Sequence, residues 1–205
     1  MRHLFIALAG LIWAAPALAL DFENCSRADR KVAEAAIGGA AELAIRAAAA
    51  VGDTEEYGTW FGAYDVAHAE TVRATLKSIH RALGSDTLVA VCIGFRDASC
   101  EDGTFAFVLT DRPGAIHFCR PFFAMPTVED AEAKRRQDLT NGTREGTIIH
   151  ELSHFPENGG TSDDCYGRDV CGEFARTSPG RAIQTADSYQ YFAEDVLIAW
   201  WRANR

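Results

Sequence analysis

His150, Glu151 and His154 are the residues of this chain whose types and spacing most directly imply chemistry. Four positions apart on a helix, two histidines share one face, one turn above the other. Each can then present a ring nitrogen to a single Zn²⁺ at about 2.0–2.1 Å. Glu151, one position further round, can reach a water on that metal without ligating it. The pattern therefore reads as the HExxH arrangement of a zinc hydrolase, with the glutamate as general base. The competing reading is two unconnected histidines on a buried helix. It requires three specified residues, two of them uncommon types, to fall at fixed spacing by accident.

A catalytic zinc ordinarily has three protein ligands, and this pair supplies two. Pro156 disfavours helical geometry before it, so the helix should stop after Phe155. Asn158-Gly159-Gly160 lets the backbone turn sharply, because glycine accepts positive φ. The chain is sent back toward the metal carrying Thr161, Ser162, Asp163 and Asp164. Gly160, not a histidine, stands six residues past His154, so a third histidine at that spacing is excluded and a carboxylate must close the site. Asp163, Asp164, Asp169 and Glu173 all remain open on this reasoning.

The HExxH residues followed by Gly160-Thr161-Ser162-Asp163-Asp164-Cys165-Tyr166-Gly167 resemble the aspzincin metallopeptidases, a group that includes deuterolysin and the peptidyl-lysine metalloendopeptidases. The similarity extends to residues 59–64, 116–123 and 186–192, in the family's order, and is closer to the lysine-specific branch. The resemblance implies one Zn²⁺ per chain, held by His150, His154 and Asp163. It implies that the Tyr166 hydroxyl steadies the oxyanion, and that the substrate is a protein or peptide. It also places Asp187 and Gln190 at the pocket for the residue after the scissile bond. Lysine-specific relatives carry two acidic residues in that segment. Here Gln190 stands at the second position, removing one charge that would meet a lysine ammonium. A structural alternative has Asp187 capping the last helix, with Gln190 capping back.

The elements that must position these residues can be read in outline. Residues 26–51 predict a long alanine-rich helix with Val32, Ala36, Leu43 and Ile45 facing inward. Gly38-Gly39 marks a kink or a close-packing point within it. Residues 65–83 predict a second helix with Val66, Val72, Leu76 and Ile79 as its stripe. Strand signals follow at 87–94, 104–110 and 115–119, separated by turn residues. Residues 127–144 read as a loop or short surface helix, and 188–202 as the last helix, with Phe192, Val196, Ile198, Trp200 and Trp201 apolar. His68 and His80 lie outside any ligand spacing and read as surface or capping residues, while His117 reads as a structural strand residue. The expected architecture is α+β: a helix-rich, zincin-like domain with a small antiparallel or mixed sheet beside the HExxH helix.

With 205 residues, 48% of them hydrophobic, the chain can bury one full core, so residues 20–205 are expected to form a single domain. A formal net charge of -9 opposes a nucleic-acid or anionic-membrane partner. Residues 1–19 read as a cleavable signal peptide: Arg2 and His3, an apolar stretch at 4–15, then Ala17-Leu18-Ala19. That stretch is shorter than the roughly twenty residues a membrane span needs. A secreted or periplasmic monomer, with no stable membrane association after cleavage, is the expectation. Six cysteines in an exported chain imply three disulfides, in one of fifteen pairings. The resemblance favours Cys25–Cys92 and Cys100–Cys119, which leaves Cys165 and Cys171 to each other around Tyr166. No CxxC pair exists to support a cysteine metal site. Asn24-Cys25-Ser26 and Asn141-Gly142-Thr143 fit the N-glycosylation pattern. Two other function classes share these features: a silent binding module on the same fold, and a zinc hydrolase or effector acting on a non-protein or single specific amide. Intact Glu151 and Tyr166 oppose the first.

Overall fold

A computed structural model describes residues 20–94, 97–101, 103–133 and 142–204; the leader at 1–19 and Asn141 lie outside the described residues. In chain order the elements are β1 (Asp21–Glu23), α1 (Arg27–Ala50), α2 (Glu55–Phe61), α3 (Val66–Leu83), β2 (Val89–Cys92), β3 (Ala106–Val108), β4 (Ala115–Phe118), α4 (Val128–Ala133), α5 (Arg144–Ser153), α6 (Arg168–Thr177), α7 (Pro179–Ala182) and α8 (Ala186–Ala203).

Helix α1 is the centre of the helical layer. Ser26 caps it by accepting the Asp29 N–H, and its inward face is built from Ala33, Ala36, Ile37, Ala40, Leu43, Ala44, Ala47 and Ala48. Small side chains let three other helices, α3, α5 and α8, approach this one closely. Val32 and Ile45 flank the buried stripe rather than fill it. The helix is unbroken through Gly38-Gly39. A Cβ on Gly39 would lie 2.9 Å from the Glu145 Cγ, so the glycine serves close packing against α5. On α3, Val72, Leu76 and Ile79 are buried as expected, while Val66 is exposed. His80 is half-buried rather than a helix cap, and its Nδ1, 2.9 Å from the Ala41 carbonyl oxygen, ties α3 to α1.

The sheet is mixed, in the order β1-β2-β4-β3. β1 pairs parallel with β2, β2 parallel with β4, and β3 antiparallel with β4. β3 is thus an edge strand. His117 on β4 is structural, stacked on Phe107 with ring centroids 4.6 Å apart. Three disulfides form, Cys25–Cys92, Cys100–Cys119 and Cys165–Cys171. The first anchors the start of α1 to the end of β2. Among the described residues no single helix is long and apolar enough to cross a membrane.

Helix α2 has no counterpart in the periodicity reading, being only seven residues, about two turns, long. Thr54 caps it, and Tyr57, Trp60 and Phe61 are buried. Phe61 packs between Tyr189 and Phe192 of α8, with centroids at 5.2 and 5.3 Å. Gly62 then turns with φ at 79°, and a Cβ there would stand 2.6 Å from the Ala175 carbonyl oxygen. A Gly62→Ala variant should lose at least about 2 kcal/mol of stability, from strained backbone and this clash together. Urea unfolding measures it, and a midpoint unchanged from that of the native chain would contradict the packing described.

Candidate active site

Helix α5 starts at Thr143, whose hydroxyl accepts the Gly146 N–H at 3.1 Å. Its last turn carries His150 and Glu151, and the hydrogen-bonded helix ends at Ser153. His154 follows as the C-cap with φ −67° and ψ −26°, so the one-turn spacing of the two rings survives although the helix stops short of Phe155. The turn after it is tight: the Phe155 carbonyl accepts the N–H groups of Asn158, Gly159 and Gly160 at 2.9, 3.0 and 3.0 Å. The Gly160 φ of 60° reverses the chain. Thr161 N–H then bonds the Ser153 carbonyl at 3.1 Å, and Ser162 N–H bonds that of Gln184 at 2.8 Å.

This path delivers Asp163 to the histidines. Its Oδ1 lies 3.2 Å from His150 Nε2 and 3.4 Å from His154 Nε2. One donor atom from each of the three residues falls within 4.8 Å of the others. Asp164 turns away and pairs with Arg181 at 2.8 Å. Glu173 pairs with Arg176, and neither it nor Asp169 joins the group. Of the four carboxylates that local reasoning left open, Asp163 alone among the described residues sits with the rings.

The far side of each ring is held as well. His150 Nδ1 lies 2.8 Å from Asp187 Oδ1, and His154 Nδ1 lies 2.9 Å from the Thr161 carbonyl oxygen. With Nδ1 donating to these oxygens, each Nε2 keeps its lone pair for a ligand. Asp187 Oδ2 also accepts the Gly167 N–H at 2.7 Å. This corrects the capping alternative. Thr185 is the N-cap of α8, and Asp187, inside its first turn, points at His150 instead. Gln190 does not cap back; it is buried beside Gly142 and Gly146. The Asp187–His150 contact joins segments distant in sequence, and no local pattern announces it.

Charge in the cluster follows from these contacts. Burial pulls the His150 imidazole toward neutrality, but hydrogen bonds to Asp163 and Asp187 more than reverse it and push its pKa up to about 10. Burial and His150 together hold His154 below its usual range. The site therefore demands positive charge, which a divalent cation would supply with both rings neutral. Two imidazole nitrogens and a carboxylate oxygen are a donor set that fits Zn²⁺. Glu151, 8% exposed, is pushed up to about 7 by burial, against the opposing pull of His150. The Val108 backbone on β3 acts in the opposite direction to burial and favours the ionised carboxylate. Tyr166 is 63% exposed, and partial desolvation together with the neighbouring Asp163 carboxylate holds its pKa above the usual phenol value. The cluster opens into a cleft of about 690 Å³ walled by residues 103–108 on one side and by Tyr166, Asp187, Gln190 and Tyr191 on the other.

A family model described as lysine-specific metallo-endopeptidase, of the aspzincin group, matches residues 46–194. The chain belongs to the aspzincin zinc metalloendopeptidases. It is 36% identical over 143 residues to a peptidyl-Lys metalloendopeptidase of Pleurotus ostreatus, covering 69% of this chain and 74% of that protein. It is 32% identical over 142 residues to an extracellular protease of Aeromonas hydrophila, covering 69% of this chain but only 36% of that protein. Among solved structures, a zinc peptidase from Grifola frondosa superposes with a TM-score of 0.69 at 28% identity, covering 83% of this chain and 97% of that one. The helix-rich architecture with its small mixed sheet is thus that of an aspzincin.

Zinc competition against a chromophoric chelator tests the donor set of this aspzincin. Asp163→Ala should abolish tight binding, whereas Asp164→Ala should leave it intact. Asp187→Asn should weaken it about 10- to 100-fold, because the His150 ring loses the carboxylate that orients it. Undiminished affinity in Asp163→Ala would contradict the assignment.

Proposed function

We propose that this aspzincin is an exported, monomeric endopeptidase, one domain over residues 20–205, in which His150, His154 and Asp163 hold one Zn²⁺. The observation that carries the reading is the convergence of two Nε2 atoms on the Asp163 carboxylate, with Glu151 Oε1 4.0 Å from His150 Nε2. Zinc, when bound, supplies a Lewis acid that polarises a carbonyl and can bring the pKa of water from 15.7 to about 7. The remaining work falls to side chains. Glu151, its pKa raised to about 7 by burial, takes a proton from the attacking water and passes it to the leaving amine. Tyr166 stays protonated at neutral pH, so its hydroxyl can donate to the oxygen on which negative charge develops. β3, the open edge of the sheet, walls the cleft and offers backbone groups to an extended peptide.

Support for export comes from the three disulfides, which persist outside a reducing cytosol, and from the extracellular protease among the relatives. Preference for a basic residue after the scissile bond rests on Asp187 in the cleft wall and on the relatives named for lysine. Asp187 already accepts from His150 and Gly167, and Gln190 is neutral. The preference for lysine should therefore be weaker than two free carboxylates would impose.

Glu151→Gln should keep one zinc per chain while casein hydrolysis falls about 10²- to 10⁴-fold. Full activity in that variant would sink the mechanism. Sequencing the fragments of one denatured protein should show basic residues enriched after the cut, and Gln190→Glu should sharpen that enrichment toward lysine.

A further inference from the structure

Tyr166 is mostly solvent-exposed, so its own packing does little to fix it. Its position comes from the backbone on either side, where the Cys165–Cys171 bridge and the Gly167 N–H bond to Asp187 hold the loop and Arg168 holds the helix that follows. Two residues on, Arg168 opens α6 and reaches into the protein. Its Nη2 lies 2.7 Å from Glu194 Oε2, and its Nη1 lies 2.8 Å from Asp195 Oδ1. The guanidinium carbon stands 4.6 Å from the Tyr191 ring centroid and 5.4 Å from that of Trp60. The Trp60 indole N–H donates to the other Asp195 oxygen at 2.8 Å. Glu194, fully buried, turns its second oxygen to the Thr143 N–H at 2.8 Å and the Thr143 hydroxyl at 2.9 Å. Thr143 is the N-cap of α5. An unbroken polar chain therefore runs from the start of the helix bearing His150 and Glu151, through Glu194, to the segment bearing Tyr166.

We propose that Arg168 is a positioning residue for the reaction, fixing the Tyr166 hydroxyl relative to Glu151 by locking the start of α6 to Glu194 and, through it, to α5. A buried ion pair is often no more stabilising than apolar packing of the same volume, so stability alone does not explain one here. Its value lies in geometry. One planar fork meets two acids while lying over two aromatic rings, an arrangement the lysine ammonium does not reproduce. The inference rests on the reading of Tyr166 as the oxyanion donor.

The test is a double-mutant cycle on the zinc-loaded enzyme, Arg168→Lys with and without Tyr166→Phe, reading kcat, KM and zinc content. Arg168→Lys should keep one zinc and a KM within about twofold, while kcat falls about tenfold or more, as small misplacements of a catalytic group do. In the Tyr166→Phe background the same change should cost nothing further. The combination Arg168→Met with Glu194→Gln and Asp195→Asn removes the cation and both acids' charges together, so that none is stranded. It should show the same kcat loss and the same dependence on Tyr166, which covers the case in which Arg168→Lys fails to fold. An unchanged kcat, a loss of equal size in both backgrounds, or a loss of zinc would overturn the positioning role while leaving the oxyanion reading intact. Full kcat in Tyr166→Phe alone would instead remove the oxyanion reading, and this inference with it.

Discussion

Each imidazole at the centre of the cleft can offer Nε2 outward because its Nδ1 is held by an oxygen from another part of the chain. For His150 that oxygen belongs to Asp187 on α8, and for His154 to the carbonyl of Thr161 beyond the turn. Asp187 uses its second oxygen on the Gly167 N–H, so one carboxylate fixes a ring, a helix and the Tyr166 loop together. Remove that anchoring and the rings can rotate, and the donor set is no longer preorganised for a cation.

The fold serves this constraint by bringing α5 and α8 to one central helix. α1 touches both, and its alanine face keeps the layer tight enough for α8 to reach α5 along its length. Close approach also explains the glycine on α5: a Cβ on Gly146 would collide with the Glu194 carboxylate. The sheet contributes its edge. β3 brings the Val108 backbone near Glu151 and walls the cleft, so one strand borders both.

How much of this could be read beforehand depended on the range of the interactions involved. His150, Glu151 and His154 were legible because helical periodicity alone sets their relative placement. Asp163 was not separable from Asp164, Asp169 and Glu173 by local argument; the family resemblance singled it out. Its delivery depends on the Phe155 carbonyl accepting three amides and on Ser162 meeting the chain at Gln184, contacts invisible to spacing. An even cysteine count foretold three bridges, and their pairing followed the resemblance. Asp187 admits a capping reading beside the pocket one, because aspartate near a helix start commonly is a cap. The helix begins at Thr185, and tertiary approach claims the carboxylate for His150. β1 and α2 escaped notice because three and seven residues carry too little periodicity, and parallel pairing with β2 or aromatic packing on α8 stabilises them.

X-ray absorption at the zinc edge, on the purified chain loaded with one equivalent of Zn²⁺, addresses the central claim most directly. The account predicts two imidazole nitrogens at about 2.0–2.1 Å, one carboxylate oxygen, and a further light-atom position exchangeable with solvent. A sulfur scatterer in the first coordination sphere, or a shell lacking two imidazoles, would contradict it.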